Sequence, residues 1–131
     1  MHVKAAMETT TVHDPREVVL GLLQALNGHD YQEARKFANP DMKFDGVLGS
    51  RDGAESYFTD MEKMQLEYNI RRIFVEGNDV CVLYDLLIED EIIFCCGWYT
   101  LQEGKISHLK VVFDPRPLLD AQKKAGQEPQ G

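Results

Sequence analysis

Basic residues are scarce in this sequence. Fourteen lysines and arginines stand against 22 aspartates and glutamates, which gives a formal net charge of −8 at pH 7. A protein that binds nucleic acid or an anionic membrane surface neutralises phosphates with a stripe of Lys and Arg, and no such stripe is present. We therefore expect no nucleic-acid partner and no membrane partner. The acidic balance weakly favours a neutral or cationic ligand, but it does not locate a site.

Long apolar runs and metal-binding spacings are also missing. No stretch of about 18 apolar residues is present, so no transmembrane helix is predicted, and residues 1–13 lack the apolar centre of a signal peptide. The three cysteines, Cys81, Cys95 and Cys96, form no CxxC motif and no zinc-like cluster with histidine. We expect reduced thiols, a cytoplasmic location, and neither metal nor cofactor.

The second half of the chain contains strand-like segments that are apolar at nearly every position. Residues 80–88 and 92–101 barely alternate between apolar and polar side chains. A sheet with one wet face should alternate, so both faces of these strands are predicted to be covered. Helices would cover one face, and a second protein surface would cover the other.

Turn and capping residues divide the chain into eight predicted elements. These are helices from Asp14–Pro15 to Asn27–Gly28, from Asp30 to Asn39–Pro40, and from Ser50 onward; a short strand over 42–45 before a turn at 46–49; and strands over about 66–76, 79–88, 91–102 and 105–114. The order α-α-β-α-β-β-β-β predicts an α+β fold with a curved, mostly antiparallel sheet wrapped on three N-terminal helices. We expect one domain over 14–119, a flexible leader at 1–13 and a polar tail at 120–131.

Several short motifs occur along the chain in a characteristic order. They are Asp14–Pro15–Arg16–Glu17, Gly28–His29–Asp30, Phe44–Asp45, Ser50–Arg51, Gly104–Lys105–Ile106 and Val111–Val112–Phe113–Asp114–Pro115. Over roughly residues 14–119 the chain resembles the nuclear-transport-factor-2-like superfamily, in particular its SnoaL-like and ketosteroid-isomerase-like branch. The resemblance implies a cone-shaped barrel with a deep apolar pocket, and a homodimer formed through the outer face of the sheet.

The hairpin turn at Glu89–Asp90 gives a strand register, and a slip by one residue would swap the two faces. It places Val82, Tyr84, Leu86, Ile93, Cys95, Gly97 and Tyr99 on the concave face. On the last strand His108 and Lys110 should face outward. The predicted pocket is apolar with few polar groups, as is usual for a small-molecule site. Its residues are Leu22, Phe44, Tyr57, Met61, Val82, Cys95, Gly97, Leu109, Val111 and Phe113.

The same register predicts an apolar outer face. Leaving it uncovered would expose a larger apolar patch than soluble monomers usually tolerate, so a homodimer is expected through this face. Asp85 would lie within that interface and need a partner such as Lys110 or Arg72. The predicted interface residues are Leu83, Leu87, Phe94, Cys96 and Trp98.

Asp45 resembles, by position, the base of the ketosteroid isomerases. Apolar walls around it would disfavour the charged carboxylate and raise its pKa, as a proton-abstracting base requires. Tyr84 or Tyr99 could then donate a hydrogen bond to the substrate. The alternative is a solvated aspartate at the start of a turn, where Asp is common.

The rest of the isomerase constellation is missing. Leu22 stands where the family has a tyrosine on the first helix, and Gly97 where it has a second acid, which argues against steroid isomerisation. Two functions stay open. One is a cofactor-free isomerase, cyclase or dehydratase that acts on a small apolar carbonyl compound with Asp45 as base. The other is a non-catalytic homodimeric module that binds a ligand or serves a structural role.

Overall fold

The computed structural model describes residues 14–120, so the predicted leader and all but the first residue of the predicted tail lie outside the described residues. Residues 116–120 form a helical turn at the end of this range. No helix within residues 14–120 is long and apolar enough to cross a membrane. The elements are α1 (Pro15–Asn27), α2 (Tyr31–Arg35), β1 (Ala38–Gly46), β2 (Gly49–Asp52), α3 (Ala54–Met64), β3 (Glu67–Glu76), β4 (Asp79–Ile88), β5 (Glu91–Gln102) and β6 (Lys105–Phe113).

The six strands form one curved, unclosed sheet in the order β2-β1-β6-β5-β4-β3. Neighbouring strands are antiparallel except β1 and β6, which run parallel. Helix α1 contributes Val19, Leu22 and Leu23 to the buried core, and α3 contributes Phe58. The predicted α+β fold with a mostly antiparallel sheet wrapped on N-terminal helices is confirmed.

The pairing of β4 with β5 has the predicted register. Tyr84 lies opposite Cys95, and Val82 lies opposite Gly97. All four residues are buried on the concave face, whereas Phe94 and Trp98 on the other face are about half exposed. Because side chains alternate along a strand, this one pairing assigns every residue of β4 and β5 to a face.

The segment before α3 differs from the prediction. Ser50 was expected to start the third helix, but Gly49–Asp52 pairs with β1 as strand β2 instead. The amide of Gly53 donates a hydrogen bond to the carbonyl of Met42 at 2.8 Å, which prolongs this pairing. Gly53 also has φ +93°, a conformation that glycine tolerates best, so the helix begins only after it.

Helix α2 is shorter than predicted, and β1 is longer. The helix ends at Arg35 rather than near Asn39–Pro40, and the strand takes over from Ala38. Proline lacks an amide donor and is tolerated in strands at edges and irregular positions. The ladder between β1 and β6 is irregular between Ala38 and Lys43, and Pro40 lies in that interval.

A β-bulge on β3 supplies the partner that Asp85 was expected to need. Ile70 pairs with Tyr84 and Arg72 with Leu83, so Arg71 is the extra residue between them. The Arg71 guanidinium lies 3.6 Å from the Asp85 carboxylate and 5.4 Å from the centre of the Phe94 ring. The predicted partners, Lys110 and Arg72, are therefore wrong.

Asn27 joins the end of α1 to the sheet edge. Its side-chain amide donates to the carbonyl of Tyr68 at 2.9 Å and accepts from the amide of Tyr68 at 2.7 Å. Strand β3 is an edge strand, so Asn27 satisfies both backbone groups of one residue much as a neighbouring strand would.

We expect Asn27→Ala to lower the free energy of unfolding by about 1–2 kcal/mol, because both backbone groups of Tyr68 lose their side-chain partner. Urea titration followed by circular dichroism measures this change. Asn69→Ala is the matched control, since Asn69 is exposed on the same strand and makes no side-chain hydrogen bond within residues 14–120. Equal stabilities for the two variants would contradict the role of Asn27.

Candidate functional site

A cavity of about 180 Å³ lies between α3, the turn that joins β1 to β2, and the concave face of the sheet. Helix α3 reaches it with three side chains, and β4, β5 and β6 form its floor. The lining contains hydroxyl groups as polar side-chain atoms, but no carboxylate, imidazole, ammonium or guanidinium group. The lining residues are Phe44, Gly46, Val47, Leu48, Gly49, Tyr57, Met61, Met64, Leu66, Tyr68, Tyr84, Leu86, Ile88, Tyr99, Val111, Phe113 and Leu118.

The cavity contains four buried tyrosines: Tyr57, Tyr68, Tyr84 and Tyr99. Burial raises the pKa of all four phenols above the ordinary value, because a phenolate would lose its hydration. At physiological pH they are therefore neutral hydroxyls that can donate one hydrogen bond each.

The hydroxyls differ in their partners. That of Tyr68 donates to the sulfur of Met61 at 3.5 Å. The hydroxyls of Tyr84 and Tyr99 make no hydrogen bond with another residue of the described range. Every fully buried side-chain nitrogen or oxygen atom in that range has a hydrogen-bond partner, so these two hydroxyls are not fully buried. Because both tyrosines line the cavity, we infer that their hydroxyls open into it.

Gly97 lets the two rings approach each other. A Cβ atom at this position would lie 3.0 Å from Cε1 of Tyr99 and 3.3 Å from Cε2 of Tyr84. The Tyr99 ring thus folds back over its own strand, and the Tyr84 ring meets it there from β4. A larger residue than glycine would push at least one of these rings into the cavity or out of place.

The predicted site residues fall into three groups. Seven line the cavity: Phe44, Tyr57, Met61, Tyr84, Tyr99, Val111 and Phe113. Five are buried but lie outside the lining, in the core around it: Leu22, Val82, Cys95, Gly97 and Leu109. The last, Asp45, lies on the opposite face of the sheet.

The expectation for Asp45 is wrong in both position and pKa. Phe44 pairs with Leu109, whereas Asp45 pairs with Lys110, so the carboxylate lies on the outer face. It accepts hydrogen bonds from Ser50 Oγ at 2.7 Å and, on its other oxygen, meets His108 Nε2 at 2.8 Å. The His108 contact, followed by the Ser50 bond, lowers the pKa of Asp45 below its ordinary value instead of raising it.

Three residues at the cavity mouth, Val47, Leu48 and Leu118, were not among the predicted site residues. Val47 and Leu48 lie in the turn between β1 and β2 and are exposed. Leu118 packs against the core from the helical turn at 116–120. Two consecutive apolar residues inside a predicted turn were the available indication, because turns rarely contain them without a packing reason.

Asp114 fixes the helical turn that carries Leu118. Its carboxylate accepts a hydrogen bond from the backbone amide of Arg116 at 3.0 Å and contacts the Arg116 guanidinium at 2.7 Å. These contacts with Arg116 lower the pKa of Asp114 to about 2. Leu118 is thereby placed over the mouth by a charged pair in solvent.

The remaining titratable side chains offer no second centre for this cavity. Cys95 is buried near it, and burial raises the pKa of its thiol to about 11, so the thiol is protonated and unreactive at neutral pH. Within residues 14–120, no group of three His, Cys, Asp or Glu side chains is arranged to hold a metal ion.

A solved structure from Cytophaga hutchinsonii decides the family. This NTF2-like protein of unknown function is 42% identical to the chain and superposes with a TM-score of 0.80, covering 82% of this chain and 96% of that one. The chain belongs to the NTF2-like family. No protein-family model matches the sequence, and no curated protein matches it.

Other solved structures share the NTF2-like fold at lower identity. A candidate SnoaL-like polyketide cyclase from Jannaschia sp. CCS1 is 17% identical, with a TM-score of 0.70 over 82% of this chain and 90% of that one. An LEH-like epoxide hydrolase from M. tuberculosis is 22% identical, with a TM-score of 0.68 over 79% and 85%. At these identities the likeness establishes the fold alone.

The Asp45–His108 contact predicts an acid-side loss of stability. The folded-state pKa of Asp45 is depressed, so its contribution is present above the ordinary carboxyl pKa and is lost as the pH falls through the folded value. We expect Asp45→Asn to be less stable than the wild type at pH 7, with the difference shrinking below about pH 4. Urea unfolding at pH 7, 5 and 3 measures it.

Asp41→Asn serves as the control, since Asp41 is exposed on the same strand and makes no side-chain hydrogen bond within the described residues. This variant should follow the wild type at every pH. A pH-independent difference between the wild type and Asp45→Asn would show that the Asp45 charge contributes nothing.

Proposed function

We propose that this NTF2-like protein binds a small, uncharged, mainly apolar molecule in the cavity between α3 and the sheet. The observation that carries the proposal is the lining, which is apolar apart from neutral phenol hydroxyls. An ion placed there would lose its hydration without gaining a counter-charge, at a cost of several kcal/mol. An apolar molecule gains by leaving water.

The structural neighbours support a small-molecule role. The LEH-like epoxide hydrolase and the candidate SnoaL-like polyketide cyclase are both named for reactions of small organic molecules. This chain shares their fold, and it has an apolar cavity between α3 and the sheet. The proposal takes from these neighbours the kind of ligand and not a reaction.

We propose binding without a reaction. The isomerase, cyclase or dehydratase hypothesis needed a base inside the pocket, and Asp45 was the candidate. Its carboxylate faces the other side of the sheet and is engaged by His108 and Ser50. Tyr84 and Tyr99 supply donors, but a proton-abstracting step also needs an acceptor of suitable pKa within reach. None of the lining side chains provides one.

We further propose that two copies pair through the outer face of the sheet. Of the predicted interface residues, Leu87 is 40%, Phe94 52% and Trp98 47% exposed, and Leu83 and Cys96 are half-buried beside them. Phe74 and Val112 extend the same face. An apolar area of this kind rarely stays uncovered on a soluble protein, and a flat sheet face can pair with a second copy of itself around a two-fold axis.

Charge and hydrogen bonding on this face suit such pairing. Arg71 and Asp85 form an ion pair, so neither charge needs a partner from the second copy. The indole nitrogen of Trp98 donates to Asp79 at 2.9 Å, which leaves the ring surface as the contact area. Aromatic residues whose polar atoms are already satisfied make strong interface anchors.

Filling the cavity should abolish ligand binding. We expect Val111→Phe to reduce the affinity for a single-ring apolar probe such as toluene by at least tenfold, because the new ring occupies its volume. Isothermal titration or ligand-observed NMR measures the affinity. Val75→Phe is the matched control, since Val75 is exposed on the edge strand and does not line the cavity. Equal binding by both variants would place the ligand elsewhere.

Sedimentation equilibrium tests the dimer. The wild type should sediment at twice the chain mass of 15.0 kDa at micromolar concentration. Phe94→Asp should weaken association by more than about tenfold, because it buries an unpaired charge at the interface. Leu48→Asp alters a residue of similar exposure at the cavity mouth and should leave the dimer intact. A monomeric wild type would refute the proposal.

A further inference from the structure

Two of the phenol hydroxyls in the cavity have no hydrogen-bond acceptor among the described residues. Tyr84 and Tyr99 each carry a hydroxyl proton, and neither donates it to another described residue. Among the other lining side chains, the Met61 sulfur already accepts from Tyr68, and the phenol oxygens of Tyr57 and Tyr68 accept no hydrogen bond from Tyr84 or Tyr99. A ligand that covers these donors without offering an acceptor leaves them unsatisfied, which weakens its binding. A ligand that carries a hydrogen-bond acceptor should therefore bind in this cavity more tightly than one that carries none.

The side chains of Tyr84 and Tyr99 lie next to each other in the same cavity. Both rings reach the same point above Gly97, one from its own strand and one from the neighbouring strand. The Tyr99 hydroxyl itself lies 3.4 Å from that point. Because Tyr84 and Tyr99 both line the cavity and their rings meet over Gly97, one small ligand can contact both side chains.

The volume limits the ligand to one ring. An apolar cavity of about 150 Å³ in another protein admits benzene, and drug-sized pockets begin near 300 Å³. The cavity here measures about 180 Å³, so it holds a ring with a short substituent and excludes a fused three-ring molecule. Gly97 fixes the floor, since any side chain there would press on Tyr99 and Tyr84.

The geometry points to a ligand class: a single-ring, uncharged molecule with a carbonyl oxygen, held by hydrogen bonds that Tyr84 and Tyr99 donate to its oxygen. This inference rests on the proposed binding function. It adds that the ligand carries a hydrogen-bond acceptor and a single ring, and that Tyr84 and Tyr99 donate to the acceptor. A carbonyl oxygen has two lone-pair sites and can accept from both phenols. An ionised carboxylate would find donors but no cation, and it would lose more hydration than two phenols restore.

Acetophenone and α-methylstyrene are a matched pair of probes, because they have nearly the same shape and differ by oxygen against a methylene group. We expect the ratio of their affinities, acetophenone over α-methylstyrene, to fall about three- to tenfold in Tyr84→Phe and in Tyr99→Phe. The affinity for α-methylstyrene itself should change little. Tyr31→Phe is the control, since Tyr31 is buried outside the cavity and should leave the ratio unchanged.

A second measurement needs no variant. The carbonyl stretching frequency of acetophenone bound to the wild-type protein should lie below its value in hexane, as hydrogen bonding weakens the C=O bond. An unshifted frequency, or an unchanged affinity ratio in both phenylalanine variants, would overturn the inference while leaving the proposed binding function standing. Binding of the three-ring ketone anthrone as tightly as acetophenone would overturn the size limit.

A different result would show that the proposed binding function itself is wrong. If neither acetophenone nor α-methylstyrene binds the wild type at millimolar concentration, the cavity is not a ligand site and both proposals fall together. Gly97→Ala adds a check on the floor, because crowding of the two rings should weaken both probes by a similar factor and leave their ratio intact. A changed ratio in that variant, with unchanged affinity for α-methylstyrene, would contradict the role given to Gly97.

Discussion

The pairing of β5 between β4 and β6 is the constraint on which the rest of the structure depends. From Ile93 to Leu101 every second residue is buried, and the residues between them are half-buried or exposed. Tyr99 and Gly97 shape the cavity from one side of this strand, while Phe94 and Trp98 form the apolar outer face from the other. A slip of one residue would exchange these two sets, turning Phe94 and Trp98 toward the core and Tyr99 away from it. The cavity and the apolar outer face therefore both depend on the register of β5.

Local patterns were sufficient to predict that register and most of the helices. The short turn at Glu89–Asp90 aligned β4 with β5, and helical spacing identified Leu22, Leu23 and their neighbours as core. The alternation of Met42 and Phe44 with Lys43 and Asp45 was a local indication that Asp45 faces outward. Its contact with His108 could not be obtained in this way, because it follows from a parallel pairing between β1 and β6. That pairing joins residues more than 60 positions apart, and no local pattern encodes it.

The candidate site was predictable where it lies on regular elements and not where loops complete it. Tyr57, Met61, Tyr84 and Tyr99 alternate or recur with the period of their element, which assigns them to the interior. Val47, Leu48 and Leu118 belong to segments without a period, so only the folded chain brings them to the mouth. The same limit applies to hydrogen bonds: His108 and Ser50 reverse the expected pKa shift of Asp45, and neither is near it in an obvious motif.

The bulge at Arg71 has a consequence for how copies of the chain can associate. Both edge strands of the sheet are poor templates for another strand. Strand β2 is only four residues long and carries the charged Arg51 and Asp52. Strand β3 has a bulge at Arg71, and Asn27 already occupies the backbone groups of Tyr68. Charges, short length and bulges of this kind prevent strands from adding at an edge. Edge addition would repeat without limit and produce fibrils, whereas contact through one face around a two-fold axis ends with the second copy. The edges of the sheet thus oppose open-ended association and leave the proposed pairing through the outer face available.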